Sequence, residues 1–284
     1  MNLGEILLEA YGILKKVGIE SYLLDSQLLL CKVLNVDKLF IMLNRDFNLN
    51  TVQEEEFSRL IQLRKFKMPV KYILGECEFM GMNLIVKPGV LIPRPDTEIL
   101  VEEVIKIINE KGYTSVCDVC SGSGAIGIAV AGFIKNTVVT LYDISSDAIA
   151  VAKLNIERFD LASRVKVERS DLLQVAIHQN KKFQVIVSNP PYIREEVIPT
   201  LMEDVKNYEP YIALSGGEDG LDFYRKITNE SLLVLEEGGL LAFEIGYDQR
   251  EEVWNMLLSA GFSSIECISD LSGNDRVIKG TLEH

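Results

Sequence analysis

The chain has 284 residues, 48% of them hydrophobic and 25% charged, which is long enough for two domains and too apolar for a disordered protein. Lys and Arg number 29 against 42 Asp and Glu, a net charge of −13 that argues against bulk nucleic acid as the main partner. No apolar run reaches the ~18 residues of a membrane span, and Met1-Asn2-Leu3-Gly4-Glu5 lacks a signal peptide's basic start, so a cytoplasmic protein is expected.

Residues 1–74 read as a helical domain. Ile6, Leu7, Ala10, Tyr11, Leu14 and Val17 recur at i, i+3, i+4 spacing, and Gly18 supplies a stop. Leu23, Leu24, Leu28, Cys31 and Leu34 repeat the pattern. Thr51 with Glu54 forms a capping box that opens a third helix, Val52 to Lys67, and Met68-Pro69 ends it. Between Phe57 and Gly75 stand Arg59, Arg64, Lys65, Lys67 and Lys71 with no acid. A solvated helix face is the plainer reading, and a docking patch for an acidic or RNA-like surface the sharper one.

Residues 75–92 read as a hairpin linker, with alternation from Phe79 to Ile92 and a turn at Lys87-Pro88-Gly89. Asp96 is expected to cap a helix carrying Ile99, Leu100, Val104, Ile107 and Ile108, closed by Gly112. Strands then alternate with helices: Ser115–Val119, Val138–Tyr142, Val165–Glu168, Phe183–Ser188, Leu240–Ile245, Ser264–Ile268 and Arg276–Lys279. That order predicts an α/β domain over 93–281, a doubly wound seven-stranded sheet covered on both faces. Leu282-Glu283-His284 reads as a tag remnant outside the fold.

Several chemistries drop out on residue types alone. Five cysteines are an odd number and scattered, so no disulfide framework is expected. Cys117 and Cys120 form one Cys-x-x-Cys with no second pair, and the only histidines are His178 and His284. Zinc needs about four such ligands, so no metal site is expected. Nucleophilic catalysis through histidine would rest on His178, in a polar Gln174–Lys182 stretch that reads as a surface loop.

Ligands of doubly wound sheets bind at the carboxyl ends of strands, so the loops there carry the function. Asp118-Val-Cys120-Ser121-Gly122-Ser123-Gly124 runs into Gly127 and satisfies G-x-G-x-x-G, a pattern shared by dinucleotide and S-adenosylmethionine sites. Asp143 ends the next strand, where a carboxylate accepts ribose hydroxyls. Asp118 tilts the choice, because an anion there repels pyrophosphate and suits the cationic end of S-adenosylmethionine. Asp171, after the third strand, reads equally as an acid near the adenine or as a helix cap before Leu172 and Leu173. The fourth strand ends in Asn189-Pro190-Pro191-Tyr192. Two prolines stiffen this turn and leave the Asn189 oxygen and the Pro190 carbonyl as acceptors for the two hydrogens of an NH2 group.

Asn-Pro-Pro-Tyr is the mark of methyltransferases that act on planar nitrogens. The chain further resembles the release-factor glutamine N5-methyltransferases of the HemK/PrmC type, within the class I S-adenosylmethionine-dependent superfamily. The resemblance rests on Pro69–Gly75, Glu78–Gly81, Val90-Leu-Ile-Pro-Arg-Pro-Asp-Thr-Glu98, Glu209-Pro210, Ala213–Gly217, Asp219-Gly-Leu221 and Phe243-Glu-Ile-Gly246, across about residues 60 to 280. It implies transfer of a methyl group from S-adenosyl-L-methionine, leaving S-adenosyl-L-homocysteine, to the glutamine of the Gly-Gly-Gln motif in class I peptide-chain release factors. It also implies that Cys120 to Gly124 meet the methionine part of the cofactor, that Asp143 holds the ribose, and that Leu172 flanks the adenine. Asn189 to Tyr192 would form the glutamine pocket, with Asn189 also beside the cofactor. The family has Gly where this chain has Cys120, and often an aromatic at Leu172. The helical domain would recognise the substrate; a monomer with no membrane and no stable nucleic-acid partner is expected. The alternatives are a nucleic-acid adenine-N6 or guanine-N2 methyltransferase, an NAD-dependent dehydrogenase and an inactive cofactor-binding module.

Overall fold

Leu3, Leu7 and Leu14 lie fully buried along one face of the first helix, Leu3–Lys16, and the same apolar spacing governs the helices that follow. These are Tyr22–Leu34, Lys38–Leu43, Thr51–Lys65 and Val70–Leu74. Their buried faces meet in one cluster that includes Leu29, Leu30, Phe57 and Leu60. In the computed structural model, which describes residues 1–283, they belong to a unit of Met1–Glu76 joined by Met202–Tyr208. The second unit comprises Cys77–Leu201 and the chain from Glu209 onward. The segment at 202–208 therefore leaves the catalytic stretch of the sequence for the helical unit, which the expected division at 74 and 93 did not anticipate.

Three local expectations in the helical unit change. The capping box is made one residue earlier, by Asn50 and Gln53: Asn50 is the extended residue before the helix, its side chain accepts the Gln53 N–H at 2.9 Å, and the Gln53 side chain accepts the Asn50 N–H at 3.0 Å. Lys38–Leu43 and Val70–Leu74 are short helices that the periodicity missed. The basic stretch is mixed: Arg64 is buried and bonds Asp25 at 2.6 Å and Lys67 donates to the Val17 carbonyl, whereas Arg59 pairs with Glu56 on the exposed face. Neither a solvated face nor a free docking patch describes Arg64.

The second unit opens with a hairpin, β1 (Glu76–Phe79) and β2 (Met82–Ile85). Its turn falls at Met80-Gly81, both with positive φ, rather than at Lys87-Pro88-Gly89. The main sheet follows with β3 (Ser115–Val119), β4 (Val138–Asp143), β5 (Val165–Arg169), β6 (Phe183–Ser188), β7 (Leu235–Glu244), β8 (Phe262–Ser269) and β9 (Asp275–Leu282). Their order is β5-β4-β3-β6-β7-β9-β8, parallel except that β9 runs against both β7 and β8. All seven expected strands are present, most of them longer than expected. Leu282 is corrected from tag remnant to strand residue: it pairs with Phe262 and is 6% exposed. His284 lies outside the described residues.

The strand order reverses between β3 and β6, which opens a crevice at their carboxyl ends. Ser188 closes the seam by donating its hydroxyl to the Val119 carbonyl at 2.6 Å. The helices Thr97–Lys111 and Ala125–Phe133 pack the sheet through Leu100, Val104, Ile128 and Val130. Asp96 does not cap the first of these; its carboxylate reaches Arg276 at 3.3 Å instead. No helix among the described residues is long and apolar enough to cross a membrane.

Candidate active site

A cavity of about 230 Å³ occupies that crevice. Cys120, Ser121, Gly122 and Ser123 line it from the loop after β3, Asp143 from the end of β4, Asp171 and Leu172 from the loop after β5, and Asn189 and Pro191 from the end of β6. Four separate stretches of sequence thus meet at one place. Asp118, Gly124, Pro190 and Tyr192 do not line the cavity, although each sits on an element that does.

The loop after β3 is held from both sides. Ser121 donates its backbone N–H to the Tyr142 carbonyl at 3.1 Å, and Gly122 donates to Asp143 Oδ2 at 2.8 Å. Asp143 Oδ1 accepts from Ser145 at 2.9 Å, so both carboxylate oxygens are anchored while the group still faces the cavity. Burial raises its pKa against these backbone bonds. Beneath the loop, a Cβ at Gly127 would overlap the Leu141 side chain, so the glycine lets the helix start directly against β4.

Asp118 has a different task from the one expected. It is fully buried behind the loop, where Oδ2 accepts the Gly127 N–H at 2.9 Å. Burial and the nearby Asp143 push its pKa up to about 8, with the Gly127 bond opposing them. It holds the glycine loop from behind and does not line the cavity. Asp171 is exposed and lines the cavity; the following helix, Gln174–His178, has Leu173 at its N-cap with no side-chain cap, and its Val175 N–H is met by the Ser170 hydroxyl at 3.1 Å. That removes the helix-cap reading of Asp171. Cys120 and Leu172 both adopt left-handed backbone, φ 60° and 48°. Two side-chain-bearing residues in that region facing one cavity mark a strained, functional wall.

On the far side, Asn189 Nδ2 donates to Thr97 Oγ1 at 3.1 Å, and both residues line the cavity. Tyr192 turns away and donates its hydroxyl to Glu244 Oε1 at 3.3 Å, while its carbonyl accepts from Gln249 Nε2 at 3.0 Å. A Cβ at Gly216 would come within 2.8 Å of the Tyr192 Cα, so the glycine lets the two loops touch. Arg94 lines the cavity and bonds Glu209 Oε1 at 2.5 Å. Ile92 also donates its N–H to Glu209, so one buried carboxylate ties the 91–96 loop to the segment beginning Glu209-Pro210.

Thr97, Glu209 and Glu244 carry this architecture, yet reasoning from sequence gave them no role. Each lies in a motif string quoted above, which was the available signal. His178 is exposed at the end of a short helix, Gln174–His178, rather than in the loop expected there, and does not line the cavity. Among the described residues no group of His, Cys, Asp or Glu could hold a metal.

The strand order, the glycine loop after β3 and the acid ending β4 together define a Rossmann-like methyltransferase fold. A methyltransferase from Pyrococcus furiosus shares it with a TM-score of 0.52 at 18% identity, covering 72% of this chain and 90% of that one. Residues 5–75 match the PrmC N-terminal domain family and residues 95–205 the methyltransferase small domain family. The chain is 54% identical to the release factor glutamine methyltransferase of Clostridium botulinum over 98% of its own length and 99% of that protein. It is 51% identical to the protein of that name from Clostridium acetobutylicum, over 98% of each. The chain belongs to the release factor glutamine methyltransferase family.

Proposed function

We propose that the protein transfers a methyl group from S-adenosyl-L-methionine to the side-chain amide N5 of the glutamine in the Gly-Gly-Gln motif of class I peptide-chain release factors, in the cytoplasm. The observation that carries this reading is the meeting, in one cavity, of the Cys120–Ser123 loop and Asp143 with Asn189. The residues suit the cofactor. Asp143 is acceptor-rich and already oriented by backbone, Gly122 leaves the loop open with nothing within 4 Å of a Cβ position, and Asp171 and Leu172 wall the far end. Cys120 to Gly124 would meet the methionine part, Asp143 the ribose and Leu172 the adenine. When bound, the cofactor supplies an electrophilic methyl group on a sulfonium.

The protein's own work is placement. An amide nitrogen is a weak nucleophile because its lone pair is shared with the carbonyl. Asn189 Oδ1 and the Pro190 carbonyl would accept its two hydrogens and hold the nitrogen's open face toward the methyl group. Positioning of this kind accounts for several kcal/mol of a barrier, about 7 in favourable cases. As positive charge grows on nitrogen, the same two oxygen dipoles stabilise it. The proton leaves after transfer, so no strong base is required. Pro191 stiffens the rim, and Tyr192 anchors the turn from behind through Glu244.

The reading is tested by separating binding from turnover. Asn189→Ala should abolish methylation of a release factor while calorimetry still detects cofactor binding. Equal loss of both would contradict the assignment.

A further inference from the structure

We propose that Phe223 is the stacking surface for the adenine of the cofactor, and that Glu230 holds it in place by fixing its helix to the Asp171–Leu172 loop. The inference rests on the cofactor reading above and extends it to a helix that has no role in that reading.

A nucleobase presents two flat π-faces, and an aromatic ring covers such a face better than an aliphatic side chain does. Leu172 is aliphatic and 6% exposed, with its side chain inside the buried cluster that includes Leu173 and Tyr224. It offers the cavity little surface. Among the described residues that line the cavity, only Tyr142 and Phe223 are aromatic. Tyr142 is fully buried, its ring packed edge-on to Phe183. Phe223 is half-buried and packs against the same cluster that holds Leu172. It is the one aromatic side chain of the cavity that keeps accessible surface.

The helix that carries Phe223 runs from Asp222 to Val234. Phe223, Lys226 and Glu230 are spaced three and four residues apart, so they share one face of it. Glu230 grips the loop after β5 with both oxygens. Oε2 accepts the Leu173 N–H at 2.9 Å, and Oε1 accepts from Gln174 Nε2 at 2.6 Å. The face that bears Phe223 is thereby tied to the residues directly after Asp171 and Leu172, at the adenine end of the cavity. Lys226, one turn before Glu230, also lines the cavity, and its ammonium stands 5.9 Å from the centre of the Phe223 ring. That cation–π contact steadies a ring which the core covers only in part. Phe223 is thus a binding residue, whereas Glu230 is a positioning residue that acts through the helix and the loop.

Two ligands separate the base from the rest of the cofactor. S-adenosyl-L-homocysteine carries base, ribose and amino acid, and 5′-methylthioadenosine lacks the amino acid. Both are titrated by calorimetry into wild type, Phe223→Leu, Phe223→Trp, Glu230→Ala and Glu230→Gln. Wild type comes first, because failure to bind S-adenosyl-L-homocysteine sinks the cofactor reading itself. Given that binding, Phe223→Leu should lose affinity for both ligands by the same factor, about five- to tenfold, the lower end of the range for a lost base stack. Phe223→Trp should bind at least as tightly as wild type. Its added fluorescence, read above that of the native Trp254, should be quenched by either ligand. Glu230→Ala should weaken both ligands by about two- to fivefold, the scale of lost hydrogen bonds. Glu230→Gln keeps an acceptor for the Leu173 N–H and should stay nearer wild type.

Unchanged affinity of Phe223→Leu for both ligands would overturn the proposal, whether or not the KM for the release factor rises. A loss confined to S-adenosyl-L-homocysteine would set Phe223 beside the amino-acid end and equally refute it. Equal binding by wild type and Glu230→Ala would remove the positioning role. If Phe223→Leu fails to fold, the Phe223→Trp titration takes its place, and fluorescence that neither ligand alters again refutes the idea.

Discussion

The two sides of the cavity are built by opposite means. The side formed by the loops after β3 and β5 relies on backbone: N–H groups fix Asp143, and two residues with side chains sit in left-handed conformation. The side formed by Asn189 relies on side chains: Asn189 donates to Thr97, and behind the same turn Tyr192 donates to Glu244. The first suits a ligand recognised by its outline and its hydroxyls. The second suits a small polar group whose donors and acceptors must be told apart. Damage on one side should therefore register mainly in binding and on the other mainly in turnover.

The largest expected effect belongs to the second side. Asn189→Ala should abolish detectable methylation, a loss in kcat of at least the roughly hundred- to thousandfold scale of losing one preorganised electrostatic partner. Cofactor affinity measured by calorimetry should hardly change. Next comes Asp143→Ala, which should weaken cofactor binding by about ten- to a hundredfold, the range for a charged hydrogen-bond acceptor. Turnover at saturating cofactor should fall much less. If kcat collapsed while affinity held, the contrast between the two sides would be gone.

A smaller effect sharpens the role of Asp118. Its folded pKa of about 8 lies well above the ordinary carboxylate value of 3.8, so the folded state holds a proton that the unfolded state has lost. Stability from this group is full below pH 4 and declines as pH rises toward 8, by up to about 1.4 kcal/mol per unit. Asp118→Asn should flatten that decline in thermal unfolding followed from pH 5 to 8. An unaltered slope would mean that the carboxylate ionises freely behind the loop. The smallest effect is expected at Cys120, where φ is 60°. Cys120→Gly should raise stability by about 1 kcal/mol, since left-handed backbone costs a side-chain-bearing residue about that much. Lower stability would show that the packing of the Cys120 side chain against the buried cluster of Val119, Leu172 and their neighbours outweighs the strain.

Much of this was legible in the sequence, for identifiable reasons. The strands are apolar and β-branched and the helices periodic, so the sheet was readable within a few residues. Gly122, Asp143 and Asn189 were readable because strand ends in a doubly wound sheet face one crevice. The position of Asp118 behind the loop was not readable, because sequence does not say on which side of a tight loop a carboxylate emerges. Asp96 looked like a helix cap by residue type, but Arg276, 180 positions away, holds it instead. Thr97 and Glu244 escaped notice because their partners, Asn189 and Tyr192, lie far away in sequence, and neither residue type announces such a contact. Arg64 illustrates the same limit in the helical unit: it reads as one of five basic residues, and only Asp25 makes it a buried ion pair.

The most direct test is peptide mass spectrometry of a purified class I release factor after incubation with the protein and S-adenosyl-L-methionine. A mass gain of one methyl group, located on the Gly-Gly-Gln glutamine and absent with Asn189→Ala, is the predicted result. An unmodified glutamine beside an active control enzyme would contradict the account and turn attention to nucleic-acid nitrogens as the acceptor.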